Sequence, residues 1–179
     1  MKLKFNKTLF GWSIADEQGI IVAKIKNKEL LGPAKNIIDK DGNIVFTTDI
    51  INLPSKNEDW NCANSIKYII YQKEDEIATA TFSYAKTPER TTLQKFALRP
   101  PQIDIMEVET PYGLLKIKRQ KDNSILIYKD EKNLGMVTSF FSFKAKYLEF
   151  IEEYEPTFLA SLYMLIDYMM HEDDLIIVW

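Results

Sequence analysis

A chain of 179 residues that is 46% hydrophobic and 12% aromatic can close a sizeable core as one domain, without disulfide or metal staples. Its net charge of -3 and that aromatic content are the opposite of the disorder signature, and the balanced charge argues against bulk nucleic-acid binding. One cysteine, Cys62, excludes an intramolecular disulfide. The opening stretch Met1-Lys2-Leu3-Lys4-Phe5-Asn6-Lys7 has basic residues but no continuous apolar run behind them, so it does not read as a secretory leader. A cytoplasmic location is the expectation.

Alternation with period 2 dominates the first 140 residues or so. In chain order it predicts strands at Gly19–Lys26, Ile44–Thr48, Ser65–Tyr71, Ile77–Tyr84, Ile103–Glu109, Leu114–Arg119, Ser124–Tyr128 and Gly135–Phe141. Short clusters of Gly, Asn, Asp and Pro separate them, and no long linker or low-complexity tract divides the chain. One domain, residues 1–179, is expected.

A weak recurrence lies inside this region. Ile14-Ala15-Asp16-Glu17-Gln18-Gly19-Ile20-Ile21-Val22 resembles Ile37-Ile38-Asp39-Lys40-Asp41-Gly42-Asn43-Ile44-Val45, with a looser copy from Ile127 to Val137. Each reads as strand, acidic turn, glycine, strand. An Asp that bonds its own backbone and a Gly that supplies positive φ make a hairpin, which predicts an antiparallel meander. A calcium loop needs its glycine at the sixth position, and Gly42 arrives at the fourth, so a turn is the better account of Asp39–Gly42.

The last segment differs in kind. Pro156 suits a first helical turn, and from Thr157 to Met170 apolar residues cover every face, with Asp167 the lone charge. A helix apolar all round is buried in protein or in lipid. About fourteen residues fall short of the roughly 20 that cross a bilayer, so burial in protein is expected, with Phe158, Leu162, Leu165, Ile166 and Met169 at the core. Leu175–Trp179 reads as a final strand. Charge is polarised along the chain: residues 1–146 hold all 23 Lys and Arg against 18 acidic residues, and 147–179 hold 8 acidic residues and no Lys or Arg.

Recognisable chemistry is sparse. The chain has 6 glycines, none in a phosphate-binding loop pattern, and one His with one Cys gives no usual zinc set. No catalytic residue, metal or cofactor is assigned. Cys62 lies far from His171 in sequence and reads as a small hydrophobe. The run His171-Glu172-Asp173-Asp174 reads as a solvated loop after the helix, although its acids sit at the unfavourable end of the helix dipole. Asp167 is expected to pair with a lysine or to bond at a mouth of the fold.

Many short strands, the Asp-to-Gly hairpins at Asp16–Gly19 and Asp39–Gly42, and the apolar helix Pro156–Met170 with its following strand together resemble the tubby C-terminal-like superfamily. That superfamily includes the LURP-one-related proteins and the phospholipid scramblases. The resemblance implies a mainly β fold, a closed antiparallel barrel of about twelve strands around the helix. It also implies binding of anionic phosphoinositide head groups to a basic patch. Lys24, Lys26 and Lys28 share one parity on their strand, and Lys116 and Lys118 share one on theirs, with Arg119 at its end. These are the lipid-binding candidates. The function expected is thus a non-enzymatic binding module for anionic membrane lipid, not membrane-spanning and without nucleic acid. A structural or regulatory role with a protein partner is the alternative, and an enzyme of unrecognised class comes third.

Overall fold

The structure, a computed structural model, describes residues 1–30, 32–52, 66–83, 104–138 and 145–171. Its strands are β1 (Lys2–Thr8), β2 (Gly11–Ala15), β3 (Ile21–Asn27), β4 (Lys35–Asp39), β5 (Ile44–Asn52), β6 (Ile66–Gln72), β7 (Asp75–Ser83), β8 (Ile105–Thr110), β9 (Gly113–Arg119), β10 (Ile125–Lys129), β11 (Lys132–Val137) and β12 (Lys146–Phe150). One helix, α1 (Pro156–Met170), follows. Each strand pairs antiparallel with its neighbours in sequence, and β1 pairs with β12 to close the barrel. At that seam Leu3 stands opposite Leu148 and Lys2 opposite Glu149. The Lys2 ammonium reaches Glu149 Oε1 at 2.6 Å, and the N-terminal ammonium donates to the Phe150 carbonyl at 2.9 Å. Closure leaves no unpaired sheet edge among these strands.

Alternation sets what fills the barrel. Leu3 and Phe5, Ala23 and Ile25, Leu115 and Ile117, Ile125 and Ile127 point inward and are buried, and each of the twelve strands gives at least one such side chain. Every residue of α1 from Thr157 to Ile166 is buried, as are Tyr168 and Met169. Phe158, Leu162, Leu165, Ile166 and Met169 are at most 2% exposed, as the all-round apolarity required. Glu155 precedes the helix without a side-chain cap, and Pro156 takes the position where a missing N–H is harmless.

The two ends of the barrel differ. At one, here the turn end, the strands join through tight hairpins. Asp16 Oδ1 accepts from the N–H groups of Gln18 and Ile20, both at 2.9 Å, and Asp39 Oδ1 accepts from those of Asp41 and Asn43 at 2.9 and 2.8 Å. Gly19 and Gly42 supply φ of 83° and 91°. The two copies of the recurrence are thus equivalent turns, with no metal needed to explain them. The third copy differs from expectation. Its turn is Asp130-Glu131, both at positive φ, and Gly135 lies in β11. A Cβ on Gly135 would stand 2.5 Å from the Glu149 carbonyl oxygen, so that glycine serves close packing of β11 on β12 rather than a turn. An aromatic cluster of Tyr112, Tyr154 and Phe158, with Phe46 and Phe150 edge-on, fills the turn end.

The expected strands are found with shifted bounds, and β1 and β12 add two that the pattern reading did not mark. Cys62, Glu172–Asp174, the proposed strand Leu175–Trp179, and the Ser65, Tyr84, Ile103 and 139–141 margins of expected strands lie outside the described residues.

Candidate functional site

The other end of the barrel is where α1 finishes. Because the strands alternate in direction, β1, β3, β5, β7, β9 and β11 end here and their successors begin here. On one side of this end a cleft of about 810 Å³ opens between β1, β2, β3, β4, β12 and the last turn of α1. Its floor is aromatic. Tyr163 of α1 stacks on Phe5 with ring centroids 3.8 Å apart, and Trp12 of β2 meets Tyr163 edge-on at 5.6 Å. Burial pushes the Tyr163 hydroxyl well above its usual range, so the ring is a neutral surface.

Charge enters this floor from four elements. Lys7 on β1 places its ammonium 5.7 Å from the centre of the Trp12 ring. Lys35 at the start of β4 and Lys146 at the start of β12 line the same cleft. Burial holds both ammonium groups below the usual lysine value, and the Asp167 carboxylate opposes that shift. Asp167 itself, the one charge of α1, stands at the cleft with its side chain 19% exposed. Its burial raises the carboxyl above the ordinary range, against the pull of His171, Lys7, Lys35 and Lys146. Its position in the last helical turn, beside the negative end of the dipole, adds to its discomfort. The His171 Nδ1 is 3.4 Å from Asp167 Oδ1 and 2.8 Å from the Asp167 carbonyl oxygen. All three lysines act on Asp167 electrostatically, and among the described residues neither Lys7 nor Lys35 forms an ion-pair contact with it.

Tyr168 fixes this end of the helix. Its hydroxyl donates to the Pro33 carbonyl at 2.7 Å and lies 2.9 Å from Thr48 Oγ1, tying α1 to β5 and to the segment before β4. The rim beside the cleft is apolar and exposed. Leu9 and Phe10, which link β1 to β2, are 87% and 75% exposed, and Leu30, in the neighbouring connection from β3 to β4, is 94% exposed.

The structure does not bring the expected lysines together. Lys24 and Lys26 point outward on β3 and Lys116 and Lys118 outward on β9, as their parity required. But β3 and β9 stand six strands apart in either direction round the barrel, on opposite walls. The β3 row runs towards the cleft end, where Lys28 follows it with its backbone N–H bonded to Ala34. On the far wall Lys116 is 3.5 Å from Glu107, and Arg119 donates to the Asn123 side chain at 2.9 Å. Asp167 and His171 were visible in the sequence as chemistry without a place. Lys7, Trp12, Lys35 and Lys146 were not singled out, because nothing local joins positions so distant along the chain. Among the described residues no three His, Cys, Asp or Glu side chains converge as a metal site, and no helix is long and apolar enough to cross a membrane.

No family model matches the sequence, and no curated protein matches it. A solved structure does. The X-ray structure of a protein from Arabidopsis thaliana, AT5G01750, aligns over 93% of this chain and 88% of its own, with a TM-score of 0.57 at 13% identity. At that identity the likeness is one of fold, and the fold is a closed twelve-stranded antiparallel barrel packed around a C-terminal helix.

Proposed function

We propose that the protein is a membrane-surface binding module of the tubby C-terminal-like superfamily, which docks the cleft end of its barrel on anionic lipid at a cytoplasmic face. The observation that carries this reading is the rim: Leu9, Phe10 and Leu30 stand almost fully exposed on adjacent connections, among Lys7, Lys28 and Lys35. The turn end also exposes Ile20, Ile44 and Ile151, but there they stand among acidic connections, whereas Leu9, Phe10 and Leu30 stand beside a cationic cleft, with Glu29 the acid among them, and that pairing suits an interface. Burying a Leu or Phe side chain is worth roughly 1.5–3 kcal/mol, and a lysine near an anionic surface about 1 kcal/mol. Neither contribution holds a protein on a membrane alone; together they suffice for reversible attachment. The superfamily assignment rests on the barrel-around-helix architecture and on the hairpin and helix features of the sequence.

Sedimentation with phosphatidylcholine vesicles containing phosphatidylglycerol, at low and high salt, tests the reading. Wild-type protein is expected to pellet at low salt and to be released as salt screens the lysines. The double variant Leu9→Asp, Phe10→Asp is expected to lose roughly tenfold or more in partition with its melting temperature nearly unchanged, since both side chains are exposed. Protein that stays in the supernatant at low salt, with or without phosphatidylglycerol, would overturn the lipid reading and leave the protein-partner alternative.

A further inference from the structure

The cleft contains its own anion. Along the fifteen residues of α1 the apolar surface is broken by one carboxylate, and that carboxylate is placed where Lys7, Lys35 and Lys146 converge. These groups come from β1, β4 and β12, and among the described residues Tyr163 of α1 and His171 just after it are the other titratable groups that line the cleft. A purely structural ion pair would close this distance. Here, among the described residues, neither Lys7 nor Lys35 forms an ion pair with Asp167, and a cleft of about 810 Å³ lies among them. That volume would hold a phosphate-sized group and several waters.

We infer that the Asp167 carboxylate is a built-in competitor for the cleft lysines, so that a singly charged phosphodiester head group enters the cleft readily only when Asp167 is protonated. The inference rests on the membrane-surface reading and adds regulation to the same site. With Asp167 ionised, an entering anion meets a like charge at close range and shares lysines already partly neutralised. With Asp167 neutral, that competition is gone, and the carboxyl O–H becomes a donor. Burial raises the carboxyl above its ordinary range, so the switch lies at higher pH than it would for an exposed aspartate. By linkage the effect is reciprocal: an anion in the cleft favours the protonated carboxyl, so binding takes up a proton.

The test compares wild-type protein, Asp167→Asn and His171→Gln from about pH 7.5 to about pH 5, a window in which a phosphodiester keeps its charge. Two probes are used in parallel: phosphatidylglycerol-containing vesicles, and soluble inositol hexasulfate, whose charge is also fixed in this range. Wild type is expected to bind tighter as pH falls. Asp167→Asn is expected to bind roughly fivefold tighter than wild type at neutral pH and to lose most of the pH response. His171→Gln is expected to keep it. Calorimetry in buffers of different ionisation enthalpy is expected to show proton uptake on hexasulfate binding to wild type, and markedly less with Asp167→Asn. Equal affinity of Asp167→Asn and wild type at neutral pH would overturn the inference, as would a pH response abolished by His171→Gln and kept by Asp167→Asn. If both probes are ignored at every pH, the inference falls with the lipid reading. If hexasulfate behaves as expected and vesicles are ignored, the membrane reading falls and the inference stands. Absence of proton uptake by wild type would overturn the inference even if Asp167→Asn does not fold.

Discussion

Asp167 is the residue at which this fold works against its own stability. A carboxylate buried at the end of a helix resists ionisation, and here burial outweighs the pull of His171, Lys7, Lys35 and Lys146. Its folded value is raised above the unfolded one, so the protonated group contributes stability that is fully present below the ordinary carboxyl range. That contribution is lost as pH rises through the raised value. At neutral pH the ionised group is therefore a net cost, and Asp167→Asn should raise the melting temperature by a few degrees, since about 1 kcal/mol moves it by roughly 2–4 °C at this chain length. The difference should shrink towards zero below about pH 4, where both side chains are neutral. Thermal denaturation followed by circular dichroism across that range checks it, and a variant less stable than wild type at neutral pH would show that the lysines depend on the carboxylate more than burial opposes it. The sequence made Asp167 conspicuous, because a single charge in an apolar helix is easy to see. It could not show Lys7, Lys35 and Lys146 around it, since those residues meet only after the barrel closes.

At the scale of elements, the helix was the most legible part of the chain and the seam the least. An all-round apolar stretch too short for a bilayer has few places to go, and α1 begins and ends within a residue of where the pattern put it. Interior strands such as β3 and β9 were readable from alternation. β1 carries the same signal, with Leu3 and Phe5 buried between lysines, but its basic start drew attention to targeting instead. β12 alternates too, with Leu148 and Phe150 buried, but its first inward position is Lys146, a charge that breaks the apolar pattern. The helix is also where the fold is most easily broken. Leu162→Asp would place an unpaired charge at a site with 0% exposure and should abolish soluble expression. Tyr168→Phe is the finer probe. It removes the hydroxyl that ties the helix end to Pro33 and Thr48, and Thr48 is fully buried. A loss of about 1–3 kcal/mol is expected by denaturant titration, with weaker cleft binding, because the last turn of α1 carries both Asp167 and the cleft floor. Wild-type stability in Tyr168→Phe would mean that other packing sets the helix position.

Among the described residues the two ends of the barrel differ in charge, and that difference predicts how the molecule would stand on a surface. The connections at the turn end carry Asp16, Glu17, Asp41, Glu74, Asp130, Glu131, Glu152, Glu153 and Glu155 against Lys40 and Lys73. That end is repelled by an anionic membrane, and its interior is stopped with aromatic rings. The cleft end carries the lysines of the cleft and the apolar rim. On the proposed membrane-surface reading, a barrel with this arrangement would dock end-on, its axis along the membrane normal, rather than on a wall. In that pose the lysines of β3 and β9 stand upright on opposite sides, and those nearest the cleft end matter most. Charge reversal separates the two poses. Lys7→Glu with Lys28→Glu, at the cleft end, should weaken binding to phosphatidylglycerol vesicles by roughly tenfold or more, given about 1 kcal/mol for each lysine and a further penalty for each new acid. Lys116→Glu with Lys118→Glu, on the far wall, should change it by no more than about twofold at physiological salt, where screening acts within about 8 Å. Both pairs are solvent-exposed, so melting temperatures should stay close to wild type and serve as the folding control. A loss confined to the β9 pair would mean that the barrel lies on its side, with Leu9, Phe10 and Leu30 facing water.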